Sequence, residues 1–124
     1  MRPSQTAIAA FSCLALTGMA FADEEPSAES IAKGNKLFQS NCVACHGADG
    51  KAMVDVISDA TNLTEPSLYR NGTTNEDILR SIRNGVGGVM PAFGDMFSAE
   101  QDLIDLRNFV KSLWLEDSAP TGIF

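Results

Sequence analysis

The sequence predicts an all-α domain of about three main helices joined by long loops. Three observations lead there. Apolar residues recur at spacings of three and four in three separate stretches. A residue suited to capping a helix precedes each stretch: Ser27, Thr74 and Ser98. The segments between them are rich in glycine, aspartate, serine and alanine and carry no such pattern.

Residues 1–22 fall outside this domain. Arg2 leads an apolar run from Ala7 to Phe21 that exits through the small-x-small triplet Ala20-Phe21-Ala22, the pattern of a secretory signal peptide cleaved after Ala22. The run is too short to span a bilayer, which needs ~20 apolar residues, and acidic residues follow at once. Cys13 lies inside the run and leaves with it. The mature domain is residues 23–124, with its core over about 29–115.

In that domain Ile31, Gly34, Leu37 and Phe38 share one face of a first helix, which Ser27 is placed to cap. Residues 47–62 read as loop, with "MVDVI" able to form one helical turn or a short extended piece. A turn at Asn71-Gly72 precedes a second helix. There Thr74 caps, Glu76 and Asp77 favour the first turn, and Ile78, Leu79 and Ile82 form the apolar stripe. Asn84-Gly85 ends it, and "VGGVMPAFGDMF" follows as an apolar loop. The third helix is expected to start at Ser98, with Gln101 completing a capping box. Its buried face holds Leu103, Leu106, Val110 and Leu113, widened by Ile104, Phe109 and Trp114. From Glu116 the tail is expected to be loose. Loops this long, without structure of their own, tend to be functional.

Charge narrows the function. Loss of Arg2 takes Lys plus Arg from 9 to 8 against 16 acidic residues, a net charge of −8 for the mature chain. Nucleic acid and anionic lipid both repel such a surface. No later segment is apolar for long enough to cross a membrane. A soluble periplasmic protein, monomeric by preference, is expected. A small secreted domain usually gains stability from disulfides, yet Cys42 and Cys45 are too close together to close a useful loop. A bound group is the remaining source.

The candidate for holding it is "CVACH", which gathers Cys42, Cys45 and the chain's single histidine, His46. C-x-x-C-H is the attachment sequence of c-type haem. Two thiols three residues apart on a helical turn can each add to one porphyrin vinyl group, leaving the adjacent histidine turned toward the iron. A structural zinc site is a rival, but zinc wants four ligands, and only three strong ones are present unless a carboxylate joins them. A thioredoxin-like C-x-x-C is a second rival, but it expects a strand before its helix where a helix is predicted.

With iron on His46, a second histidine is excluded outright. Met53 lies seven residues past His46 and is awkward for the opposite face. Met90 and Met96 lie in the glycine-rich loop, where backbone can approach a flat ring closely. Pro91 biases Met90 toward extended geometry, which favours Met90 as axial ligand, with Met96 the alternative. Core packing is the ordinary use of a methionine.

The order "CVACHG", "ILRSIRNG", "GGVMPAFG", "LIDLRNFVKSLW" resembles the class I single-haem cytochromes c of bacterial type, from about Ala32 to Trp114. The resemblance implies a small cytochrome c fold wrapped around one covalent haem c with its iron. It also implies a near-perpendicular crossing of first and last helices, with Gly34 and Phe38 against Phe109. It implies electron exchange with unidentified donor and acceptor proteins through an exposed haem edge, and no chemical change of a substrate. One departure is plain: that family usually has a proline soon after the haem motif whose carbonyl accepts the histidine N–H, and none occurs between His46 and Pro66. The acceptor is therefore left open. Tyr69, Arg80 and Arg83 are candidates for the haem propionates, each equally well explained as rim.

The expected function is an exported electron carrier with no catalytic residue. The alternatives are a haem subunit of a dehydrogenase or oxidase complex, or an open-iron peroxidase or gas binder.

Overall fold

The computed structural model describes residues 25–52 and 59–118. Four α-helices follow in order: α1 (Ala28–Asn41), α2 (Val43–His46), α3 (Asn75–Asn84) and α4 (Glu100–Ser118), with single 3-10 turns at Pro66–Leu68 and Gly94–Met96. No strand occurs among the described residues; the one β-type pairing is the isolated bridge Val86–Met90. The domain is therefore all-α, as the sequence predicts. The signal peptide, the whole of "MVDVI" with Met53, and the tail from residue 119 lie outside the described residues.

Local chemistry explains most helix ends. Ser27 Oγ accepts the Ser30 N–H at 3.1 Å and starts α1. At α3 the Thr74 hydroxyl accepts the Asp77 N–H at 3.1 Å while Asp77 Oδ2 accepts the Thr74 N–H at 3.2 Å, a reciprocal capping box. Helix α4 differs from expectation at both ends. It begins at Glu100 rather than Ser98, and Gln101 does not complete a capping box: its Nε2 donates to Asp105 Oδ1 at 2.9 Å. It also continues to Ser118, past the point where a loose tail was expected.

The core sits where α1 and α4 cross and where α3 packs on α4, and Phe38 and Leu106 are its most buried large side chains. The crossing is close because Gly34 has no side chain. A Cβ there would overlap the Asp105 carbonyl, standing 2.6 Å from its carbon and 2.7 Å from Phe109 Cβ. The Phe38 and Phe109 rings then meet with centroids 5.0 Å apart and planes tilted by 53°. The Gly34, Phe38 and Phe109 contact implied by the family resemblance is thus present.

A buried polar seam lies beside it. Asp105, only 3% exposed, accepts Ser30 Oγ at 2.5 Å, and Asn108 Nδ2 donates to the same hydroxyl at 2.9 Å. Satisfied polar contacts of this kind fix the rotation of one helix against the other, which apolar packing alone leaves freer.

Candidate haem site

One apolar cavity opens between the end of α1, α2, the 59–63 segment, α3 and the glycine-rich loop. Cys42, Cys45, His46 and Met90 all line it. The first three arrive together because α1 stops at Asn41 and the chain re-enters a single helical turn. The Cys42 carbonyl accepts the N–H groups of both Cys45 (3.3 Å) and His46 (3.0 Å). That turn is a fourth helix beyond the three main ones expected. Gly47, at φ +75°, ends it.

Met90 comes from a tight turn. Val86 and Met90 exchange both backbone hydrogen bonds at 3.1 Å, and Phe93 N–H to Ile82 O at 2.9 Å ties the loop to α3. Gly85 is required at the base of the turn. Its φ is +78°, and a Cβ there would overlap the Met90 carbonyl and sit 3.1 Å from Ala92 N. Met96, the alternative ligand, is 64% exposed and is not part of the cavity wall.

His46 finds a backbone acceptor despite the missing proline. Its Nδ1 donates to the Thr61 carbonyl at 2.9 Å. This leaves Nε2 as the nitrogen free for a metal. Burial pulls the His46 pKa below its ordinary value and outweighs the opposing effect of that hydrogen bond, which favours the neutral ring that a ligand needs. Burial also pushes the Cys42 thiol up to about 11, with the neighbouring Cys45 adding to the shift.

The three propionate candidates are otherwise engaged. Arg80 pairs with Asp77 at 2.6 Å and Arg83 with Glu100; neither lines the cavity. Tyr69 does line it, but its hydroxyl donates to the Leu63 carbonyl at 2.7 Å. The cation in the wall is Arg70, which the sequence does not single out from the other arginines.

The donor set suits haem and not its rivals. Two thiols, a neutral imidazole and a thioether face an apolar space walled by Phe38, Ile78, Ile82, Leu106 and Val110. Among the described residues no group of three or more His, Cys, Asp or Glu side chains converges on a metal position, so a zinc site finds no support. A helix rather than a strand precedes Cys42 and Cys45, unlike a thioredoxin-type motif.

Residues 29–110 match the family model described as cytochrome c oxidase, cbb3-type, subunit III. The chain belongs to this family of class I c-type cytochromes. Among its relatives is the cbb3-type oxidase subunit CcoP of Rhodobacter capsulatus, 41% identical over 70 residues, which cover 56% of this chain and 23% of that one. The FixP subunit of Azorhizobium caulinodans is 41% identical over 53% of this chain and 22% of its own. The cytochrome thus spans about a quarter or less of these oxidase subunits. Cytochrome c6 of Petalonia fascia is 36% identical over 66% of this chain and 91% of its own length. A chain of the Kuenenia stuttgartiensis reducing HAO-like complex shares the fold, with a TM-score of 0.63 at 23% identity over 71% of this chain and 45% of that one. Electron transfer is what this family does, and covalent haem c with its iron is the cofactor that its membership gives the chain.

Proposed function

We propose that the cytochrome is an exported single-haem electron carrier in which Cys42 and Cys45 form the thioether links and His46 and Met90 are the axial ligands. The observation that carries this reading is the convergence of all four side chains on one apolar cavity, His46 from α2 and Met90 from the separate 86–90 turn. Haem supplies a one-electron Fe(III)/Fe(II) couple when bound. The protein's part is to hold and tune it. Thr61 fixes the His46 ring and its tautomer, the Val86–Met90 turn presents the thioether, and the apolar wall keeps water out. His46 and Met90 would hold the iron from either side and leave no position for a substrate, in keeping with a carrier that has no catalytic residue. A thioether opposite histidine favours the ferrous state and raises the potential.

Met90→Ala should keep the covalent haem, lose the ferric thioether charge-transfer band, lower the potential and admit added imidazole. Met96→Leu should change little, since the side chain is exposed and leucine fills similar volume. The opposite pattern would assign the ligand to Met96.

The N-terminal signal pattern supports export to the periplasm, and no helix among the described residues is long and apolar enough to cross a membrane. The CcoP and FixP relatives favour a second reading, a haem subunit of an oxidase complex. Fractionation of native cells separates the two: a carrier is recovered alone from the periplasmic extract, a subunit with its complex.

Partner encounter should combine a distant acidic field with apolar contact at the cavity mouth, where Val89 is 50% exposed. Association with a basic partner should then slow with added salt, roughly ten- to a thousandfold between extremes, while transfer within the docked pair stays constant. Stopped-flow reduction over a salt series reads both. A first-order limit that falls steeply with salt would refute the apolar contact.

A further inference from the structure

We propose that Trp114 and Tyr69 are positioning residues for His46, acting through the backbone of residues 61–63. This rests on the reading of His46 as an iron ligand.

The segment that accepts the His46 proton is short, and neighbours hold it at Asn62 and Leu63. The Leu63 N–H donates to Gly50 O at 2.7 Å. The Leu63 carbonyl accepts two donors, Tyr69 OH at 2.7 Å and Trp114 Nε1 at 3.0 Å, which occupies both of its lone pairs. Asn62 Oδ1 accepts the Thr64 N–H at 3.0 Å and the Thr64 hydroxyl at 2.8 Å, closing an Asx turn immediately after Thr61. Thr61 itself offers only its carbonyl to His46, so its place depends on what pins the two residues that follow.

The two aromatic donors come from distant parts of the chain and brace one another. Trp114 sits near the end of α4, and Tyr69 precedes α3. Their rings meet edge to face at 5.7 Å and 81°, and Trp114 Nε1 also lies 3.1 Å from the Tyr69 oxygen. Lys111 Nζ stands 5.6 Å from the Trp114 ring centre and donates to Asn75 Oδ1 at 2.7 Å. Segment 61–63 is thereby strapped to the body of the domain rather than carried by its own loop.

Such a strap has a chemical consequence. A fixed acceptor makes the imidazole a stronger donor to iron and favours the ferric state, whereas a wandering acceptor weakens the N–H···O bond and raises the potential. Trp114→Phe and Tyr69→Phe each delete one donor to Leu63 O and leave most of the ring packing in place.

The test compares haem-loaded wild type, both single variants, the double variant and Ile104→Val. Ile104 lies on the same helix, packs against the core and takes no part in the strap. The readouts are reduction potential and the solvent-exchange rate of the His46 Nδ1 proton by NMR. Each single change should raise both, and the double variant should exchange about tenfold faster or more. The thioether links and the axial ligand bands should persist throughout. Unchanged potential and exchange in the double variant would overturn the proposal. So would an equal shift in Ile104→Val, because the strap would then be packing alone. A wild-type spectrum without histidine ligation is a different signature; it removes the ligand assignment, and the proposal with it. Tyr69→Phe removes a single oxygen, so the comparison survives even where Trp114→Phe folds poorly.

Discussion

Gly34→Ala should destabilise the protein by ~2 kcal/mol or more and lower its melting temperature by roughly 10 °C or more. Two effects oppose each other. Alanine is the better helix former by about 0.8–1.0 kcal/mol, which favours the variant. Against that, the new methyl overlaps the Asp105 backbone carbonyl and comes within 2.7 Å of Phe109 Cβ. Neither neighbour is the yielding tip of a side chain, so one helix must move away from the other. That shift also pulls on the Ser30–Asp105–Asn108 contacts and on the Phe38–Phe109 ring pair. Overpacking costs ~1–3 kcal/mol and occasionally more, and a clash with fixed backbone sits at the top of that range; less about 1 kcal/mol of helix gain, the clash wins by ~2 kcal/mol or more. Gly88→Ala is the control: a Cβ there meets nothing within 4 Å, and its φ of +74° leaves only local backbone strain of ~1–2 kcal/mol. Thermal melts followed at 222 nm rank the two. A Gly34→Ala melt equal to wild type would mean that the α1–α4 crossing is not the tight joint described.

Changing both Cys42 and Cys45 to alanine should abolish covalent haem and leave the chain largely unfolded. The intact mass should then equal the polypeptide alone. Phe38, Ile78, Ile82, Leu106 and Val110 all face the space that the group fills. Without it their packing has no opposite wall, and a cavity left by even one large side chain costs ~2–5 kcal/mol. Domains hold only ~5–15 kcal/mol in reserve. A double variant that keeps its helical circular dichroism and melts within a few degrees of wild type would show that the polypeptide folds without the group.

The helices were legible in the sequence because their determinants are local. Ser27 and Thr74 lie one or a few residues from the N–H groups they satisfy, and the apolar spacing of Leu103, Leu106, Val110 and Leu113 needs no tertiary knowledge. The start of α4 was not legible. Gln101 fits a capping box with Ser98 by spacing, but a competing acceptor, Asp105, is held in place by Ser30 from the other end of the chain. The haem motif was legible because cysteine and histidine are scarce and stand adjacent. The histidine's acceptor was not, since a backbone carbonyl bears no residue type, and any position from 47 to 65 had one to offer. The rim arginines failed for a related reason: Arg80 and Arg83 are drawn off by Asp77 and Glu100, and the second of these partners is 17 residues away.

The joint between α1 and α4 also sets an order in time. Ser30 and Asn108 are 78 residues apart, so the contact that seals the core closes nearly the whole domain into one loop. That closure raises the contact order above that of a helical protein held by neighbouring helices alone, which favours slower folding. Until Leu103 to Leu113 have left the ribosome, α1 has no surface on which to bury Phe38. The strap from Trp114 lies later still. An exported chain that has not yet closed this joint can therefore display "CVACH" before anything holds His46 to its acceptor. The last helix closes the domain over a motif that has already been accessible.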